Sequence, residues 1–236
     1  MRARRAALVA GMVVLGLASG GLATAAQPPA VQVPAPAGSV APTFSDIGPG
    51  DVFYDDVAWM ASANITTGWP DGTFRPLAPV TREAFAAFLA RWVFGTDLEP
   101  CDAADERVFS DVEYWNPFCS AIEWLAGFAV DGYPDGTFRP SAPITREAVA
   151  AILMRGYPGT SPTCDAGPRA FTDVASWHPF CGYIEMAADW GIVNGWSDGT
   201  FRPGLLIERQ AFAAMLHRME IRESTATLQG AWADAG

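Results

Sequence analysis

Every cation in this chain of 236 residues is an arginine, because the fifteen Lys+Arg are all Arg. Nine of them recur in register. Arg82, Arg146 and Arg209 stand where a run of helical periodicity begins, Arg75, Arg139 and Arg202 each follow a Phe in a turn, and Arg91, Arg155 and Arg218 fall late in a helix. A cation at a helix start opposes the helix dipole, so its recurrence there needs a reason other than helix stability. A carboxylate ligand supplies one: guanidinium pairs with it through two parallel hydrogen bonds, and the free N–H groups of the helix start face the same place. An ion pair with an Asp or Glu of a neighbouring unit supplies another, and both stay open for Arg82 and Arg146. The late set complements the dipole without a ligand, and the turn set is expected to brace its loop.

Beside these cations stand Trp69, Tyr133 and Trp196, each preceded by glycine at Gly68, Gly132 and Gly195. Their flat faces suit stacking on a sugar ring while the glycine lets a ligand approach the backbone. Equally, they suit plugging an interface between units. Phe74, Phe138 and Phe201 read as core, and Asp71, Asp135 and Asp198 as turn formers. Catalysis finds no support: His178 precedes a proline, His217 lies on the last helix, and no Ser, Cys or Asp stands at a recognisable catalytic spacing from either. No catalytic residue, metal ligand or cofactor is expected.

The elements that must position these residues come in three copies. Gly68-Trp69-Pro70-Asp71-Gly72-Thr73-Phe74-Arg75-Pro76 returns from Gly132 to Pro140 and again from Gly195 to Pro203, 64 and then 63 residues on. A Phe-x-Asp block lies upstream of each copy (Phe44, Phe109, Phe171), and a block containing Arg82, Arg146 or Arg209 lies downstream. Within a unit, Phe118, Ile122 and Leu125 predict a short first helix, with Pro117 and Pro179 suiting the first turn of theirs. Phe85, Phe88, Leu89 and Trp92 predict a second, as do Phe212, Met215, Leu216 and Met219. Thr81 and Thr145 are placed to cap it. Each unit then reads helix, loop, helix, and units this small are expected to share one core.

With 15 Lys+Arg against 26 Asp+Glu the chain carries −11, which excludes a general nucleic-acid binder. Arg2, Arg4 and Arg5 followed by an apolar run to Leu22 and Ala23-Thr24-Ala25 read as a secretory signal peptide, with an uncleaved anchor as the alternative. The boundaries are then a signal peptide over 1–26, a Pro/Ala-rich linker over 27–43, repeats over 44–95, 96–156 and 157–221, and a loose tail over 222–236. No transmembrane segment is expected after cleavage.

Four cysteines in an exported chain suggest two disulfides, and the repeat register assigns each pair to its own unit. The expected bridges are Cys101 with Cys119 and Cys164 with Cys181, each tying the stretch before a unit to its first helix; unit one has Tyr54 at the matching place. A metal site is the rival, but the spacing lacks a CxxC pattern and the chain has two His.

Taken together, the Phe-x-Asp block, the Gly-aromatic-x-Asp-Gly-Thr-Phe-Arg-Pro loop and the Thr-Arg helix start, over about Thr43 to Glu220, resemble the S-layer homology (SLH) domain family. That resemblance implies a mainly α fold: three helix-loop-helix repeats around a pseudo-threefold axis, a central three-helix bundle, and grooves between neighbours. It also implies a secreted cell-wall module that holds proteins non-covalently on wall polysaccharide, often pyruvylated. The alternative is an extracellular scaffold that binds surface proteins or itself. One departure matters: the family has Thr-Arg-Ala-Glu where this chain has Thr-Arg-Glu-Ala, so the reciprocal capping box is lost. Unit three has Glu208 in place of the Thr, and a groove built there is expected to be altered.

Overall fold

The computed structural model describes residues 44–233 apart from 104–105, 128, 158–161 and 165–168, with helical side chains described as far as Thr225. The signal-peptide and linker assignments lie outside the described residues. Six helices are present there: α1 (Tyr54–Ser62), α2 (Arg82–Phe94), α3 (Cys119–Ala126), α4 (Arg146–Arg155), α5 (Cys181–Asp189) and α6 (Arg209–Ala233). No described residue lies in an extended strand, so the fold is mainly α.

Local chemistry sets the helix starts. The hydroxyls of Thr81 and Thr145 accept from the amides of Ala84 and Ala148 at 3.3 and 3.4 Å, capping α2 and α4. At the start of α6, the amide of Gln210's side chain donates to the Glu208 carboxylate at 2.8 Å. The first helices begin later than their prolines suggested. Phe118 and Phe180 are the N-caps of α3 and α5, so Pro117 and Pro179 stand outside the helix, and the Phe amides donate to Asn116 Oδ1 and His178 Nδ1.

The packed helix pairs are not those of one unit. α2 lies on α3, α4 on α5, and α6 on α1, so the second helix of each unit packs against the first helix of the next, and the last unit closes on the first. A ring of backbone hydrogen bonds sits at the starts of α2, α4 and α6. Val80 N donates to Ile207 O, Ile207 N to Ile144 O, and Ile144 N to Val80 O, at 2.9 to 3.0 Å. The rings of Phe85 and Phe88 meet Phe212 at 5.4 and 5.7 Å, joining α2 to α6. One continuous cluster of buried side chains takes in Phe74, Phe138 and Phe201 with the helix faces of all three units. Sharing one core is what such short units require, since none alone removes enough apolar surface from water.

Cys101–Cys119 and Cys164–Cys181 are both bridged, with Cα atoms 6.0 and 5.8 Å apart. Each ties the first residue of α3 or α5 to the segment before its unit, restricting the unfolded chain. The sequence reads a loose tail from Arg222, because apolar periodicity fades there, yet α6 continues to Ala233. Polar contacts at residues 220–223 hold its base. Trp92 Nε1 donates to Glu220 at 2.8 Å, Arg222 lies 4.1 Å over Trp190, and Tyr157 donates its hydroxyl proton to Glu223.

Candidate functional site at the unit junctions

Each loop is built the same way three times. Asp46 accepts from the amides of Phe74 and Arg75, one per carboxylate oxygen, both at 2.7 Å; Asp111 does so for Phe138 and Arg139, and Asp173 for Phe201 and Arg202. Arg75, Arg139 and Arg202 have φ of 57°, 58° and 56°, a left-handed conformation that costs a side-chain-bearing residue about 1 kcal/mol and needs such a clamp. Their guanidiniums donate to Asp71, Asp135 and Asp198 at 2.9 Å. Those aspartates also accept from Thr73, Thr137 and Thr200, first through the hydroxyl, and their carboxyls are drawn down to about 2. The turn arginines thus brace their loops, and the Phe-x-Asp carboxylate, which the sequence marked only as a repeat signal, clamps them.

The glycines serve packing. A Cβ on Gly68 or Gly132 would stand 2.4 Å from the ring of Phe44 or Phe109, and one on Gly195 would stand 2.6 Å from the ring of Phe171. The space their missing side chains leave is filled by this chain's own aromatic rings, so packing alone requires glycine at these positions.

The helix-start arginines cross from one unit to the next. Arg82 Nε donates to Phe138 O at 2.6 Å, Arg146 Nε to Phe201 O at 2.9 Å, and Arg209 Nε to Phe74 O at 2.7 Å. Arg146 also reaches Asn194 O at 3.4 Å. Among the described residues none of the three pairs with a carboxylate; the ion pairs present involve other cations. The neighbouring Asp or Glu that the sequence allowed is therefore replaced by a backbone carbonyl. The free helix-start amides are also absent. Arg82 N and Glu83 N donate to Ala142 O and Pro140 O, with equivalent bonds at Arg146, Glu147, Arg209 and Gln210. Only guanidinium remains to meet an anion at these junctions.

Arg146 and Arg209 are 6% and 7% exposed, and burial first of all depresses both to about 10, with Arg202 and Arg75 respectively adding like-charge repulsion. Arg82 is depressed in the same direction by burial. All three stay charged at neutral pH. For Arg146 and Arg209 the depression corresponds to about 3 kcal/mol each of unfavourable charge burial.

Aromatic rings surround the charge. Tyr133 faces Arg82 at 5.0 Å and its own loop's Arg139 at 3.8 Å, and Trp196 faces Arg146 at 4.3 Å and Arg202 at 4.4 Å. All three helix-start arginines lie over the loop Phe, at 4.5 Å for Phe138, 4.6 Å for Phe201 and 4.6 Å for Phe74. The third junction differs in that Arg209 also lies 5.4 Å over Phe88, while Trp69, 43% exposed, lies under Arg75 at 4.0 Å. The loop aromatics thus sit between cations at two junctions and stand half open at the third. The late arginines are internal braces: Arg91, Arg155 and Arg218 each donate through Nη1 to Ile65 O, Ala129 O and Ile192 O, at 3.2 to 3.3 Å.

The profile of the S-layer homology domain matches residues 43–86, 108–150 and 170–213. The chain belongs to the S-layer homology domain family. Over 192 residues, 75% of this chain and 8% of the relative, it is 31% identical to cell surface glycoprotein 1 of Acetivibrio thermocellus. It is 29% identical to the cellulosome-anchoring protein of the same organism, over 64% of this chain and 34% of the relative. An amylopullulanase of Thermoanaerobacterium thermosulfurigenes is 32% identical over 74% of this chain and 9% of its own length. The SLH chain therefore spans a minor part of each of these relatives, and its three SLH repeats, shared with a cell surface glycoprotein and an anchoring protein, make it a cell-surface module. Among the described residues no helix is long and apolar enough to cross a membrane, and no group of three His, Cys, Asp or Glu could hold a metal ion.

Proposed function

We propose that this SLH chain is a non-covalent wall anchor that binds an anionic cell-wall polysaccharide at its unit junctions. The observation that carries it is the set of guanidiniums at Arg82, half-buried, and at Arg146 and Arg209, buried, none paired with a carboxylate among the described residues. A buried cation without a counter-ion is held at a cost, and an anion docking beside it recovers that cost as binding energy. Trp69, the most open of the loop aromatics, offers a ring for a pyranose beside the acidic group, while Tyr133 and Trp196, held between cations, line their junctions. A carboxylate ketal such as pyruvate on the sugar suits the fork of a guanidinium in shape and charge. The action in this reading is binding; all four cysteines are in disulfides, and each histidine joins its unit to a carboxylate on another, His178 to Glu147 and His217 to Asp56.

Co-sedimentation with purified walls tests this. Binding is expected to be lost when the acidic secondary polymer is stripped and to weaken about tenfold in the Arg82→Lys, Arg146→Lys double variant, since lysine keeps charge but lacks the fork. Lysine retains a donor for the Phe carbonyl, and a matched thermal melt checks that the variant folds. Unchanged sedimentation in both cases contradicts the proposal.

A further inference from the structure

Trp115 and Trp177 are 66% and 83% exposed and stand outside the core, in turns whose next residues reach the neighbours of Arg82 and Arg146: Asn116 Nδ2 donates to Glu83 at 3.4 Å, and His178 Nε2 lies 3.1 Å from Glu147. Single exposed apolar residues are ordinary on protein surfaces. These two differ because they occupy one register: each stands four residues before the first residue of its helix, Cys119 or Cys181. Each sits inside a hydrogen-bonded turn. Asn116 N donates to Glu113 O at 2.9 Å and His178 N to Ala175 O at 3.0 Å; Cys119 N and Cys181 N then donate to the carbonyls of Asn116 and His178 at 2.9 Å.

Unit one supplies the control. There Asp51 N donates to Gly48 O at 2.9 Å and Tyr54 N to Asp51 O at 3.1 Å, the same pair of bonds, with Pro49 and Gly50 inside the turn. The turn therefore forms without an aromatic residue. Neither backbone geometry nor burial accounts for the indoles in units two and three. Disulfides on Cys119 and Cys181, which end both turns, restrain the backbone that carries the rings, so less backbone entropy is left to lose on binding.

We propose that Trp115, with Tyr114 packed edge-on against it at 4.8 Å, and Trp177 are stacking platforms for neutral pyranose rings of a glycan chain. Indole faces meet the C–H face of a sugar by burying apolar area, while Glu113, Ser176 and the Tyr114 phenol stand exposed in the same turns to take hydroxyl groups. Neither turn contains a Lys or Arg, and Asp111, Glu113 and Asp173 lie in these segments, so an anionic chain is disfavoured here. Two indoles on separate turns, each rimmed by polar groups, suit a hydroxyl-rich ligand better than the continuous apolar patch of a protein interface. Because stacking needs no cation, the contact does not depend on the guanidinium forks of Arg82 and Arg146 or on the anion proposed there.

Indole N–H resonances of the full chain, labelled with 15N-tryptophan, provide the test, with Trp115→Ala and Trp177→Ala assigning the two signals. Chitohexaose, cellohexaose and mannohexaose serve as neutral probes. Both signals are expected to shift saturably with at least one probe, to do so equally in low and high salt, and to keep that response in the Arg82→Lys, Arg146→Lys variant. The double Ala variant is expected to bind that probe about tenfold more weakly with an unchanged melting temperature. Signals unmoved by all three probes overturn the proposal. So does a tryptophan-dependent self-association seen by sedimentation velocity, which would assign the turns to a protein interface.

Discussion

Asp111 shows how much one carboxylate carries. Both its oxygens accept from backbone amides at 2.7 Å, and one of those amides belongs to Arg139 at a φ of 58°. We expect Asp111→Ala to cost about 3 kcal/mol, the scale of two bonds to a charged acceptor, measured as a lower urea midpoint with an unchanged slope. Asp71, Asp135 and Asp198 give a pH signature. Their carboxyls are depressed from 3.8 to about 2, so the support they lend is complete above the unfolded value and is lost as pH falls toward about 2. An acid unfolding curve should steepen in that window, and replacing all three by Asn should flatten it there; identical curves contradict the assignment. The sequence marked these aspartates as turn formers correctly. It could not show the Phe-x-Asp clamp, because the partners lie 27 to 29 residues away and are backbone amides, which leave no trace in residue identity.

At the scale of elements, the loops and helix starts are held by packing more than by propensity. Gly132 has a φ of +74° and its missing Cβ is the space for the Phe109 ring and Thr137 O. Gly132→Ala should destabilise by about 3 kcal/mol, against about 1 kcal/mol for Thr145→Ala, which loses a cap only; thermal melts of the two variants would rank them. Helix periodicity placed the buried faces of α2 and α6 well, since Phe85, Phe88, Leu89, Trp92, Phe212, Met215, Leu216 and Met219 are all buried. The ends were harder to read. Proline at 117 and 179 drew the first-helix starts forward, whereas side chains at Asn116 and His178 hold the chain in a turn first. Past Met219, α6 stays helical beyond its apolar pattern because Glu220 and Glu223 find Trp92 and Tyr157, residues far away in the sequence.

At the scale of the molecule, repetition foretold three units and one shared core, but not that each unit would lend its second helix to the next. Connectivity between equal copies is invisible to periodicity, because a helix carries the same apolar face whichever partner it meets. The consequence is measurable. An isolated first unit, residues 44–95, lacks the α3 on which α2 packs and the α6 on which α1 packs, so it should show no cooperative unfolding, while the whole chain should unfold in one transition by every probe. The same interlock carries Arg82, Arg146 and Arg209 across the junctions and leaves their charge facing carbonyls instead of carboxylates. The most direct test of the anchoring role is a calorimetric titration of the chain with two wall polysaccharide fragments that differ only in one acidic substituent. We expect the acidic fragment to bind at least about tenfold more tightly, with the difference erased in the Arg82→Lys, Arg146→Lys variant. Equal affinity for the two fragments in the unaltered chain would show that these guanidiniums do not recognise the anion.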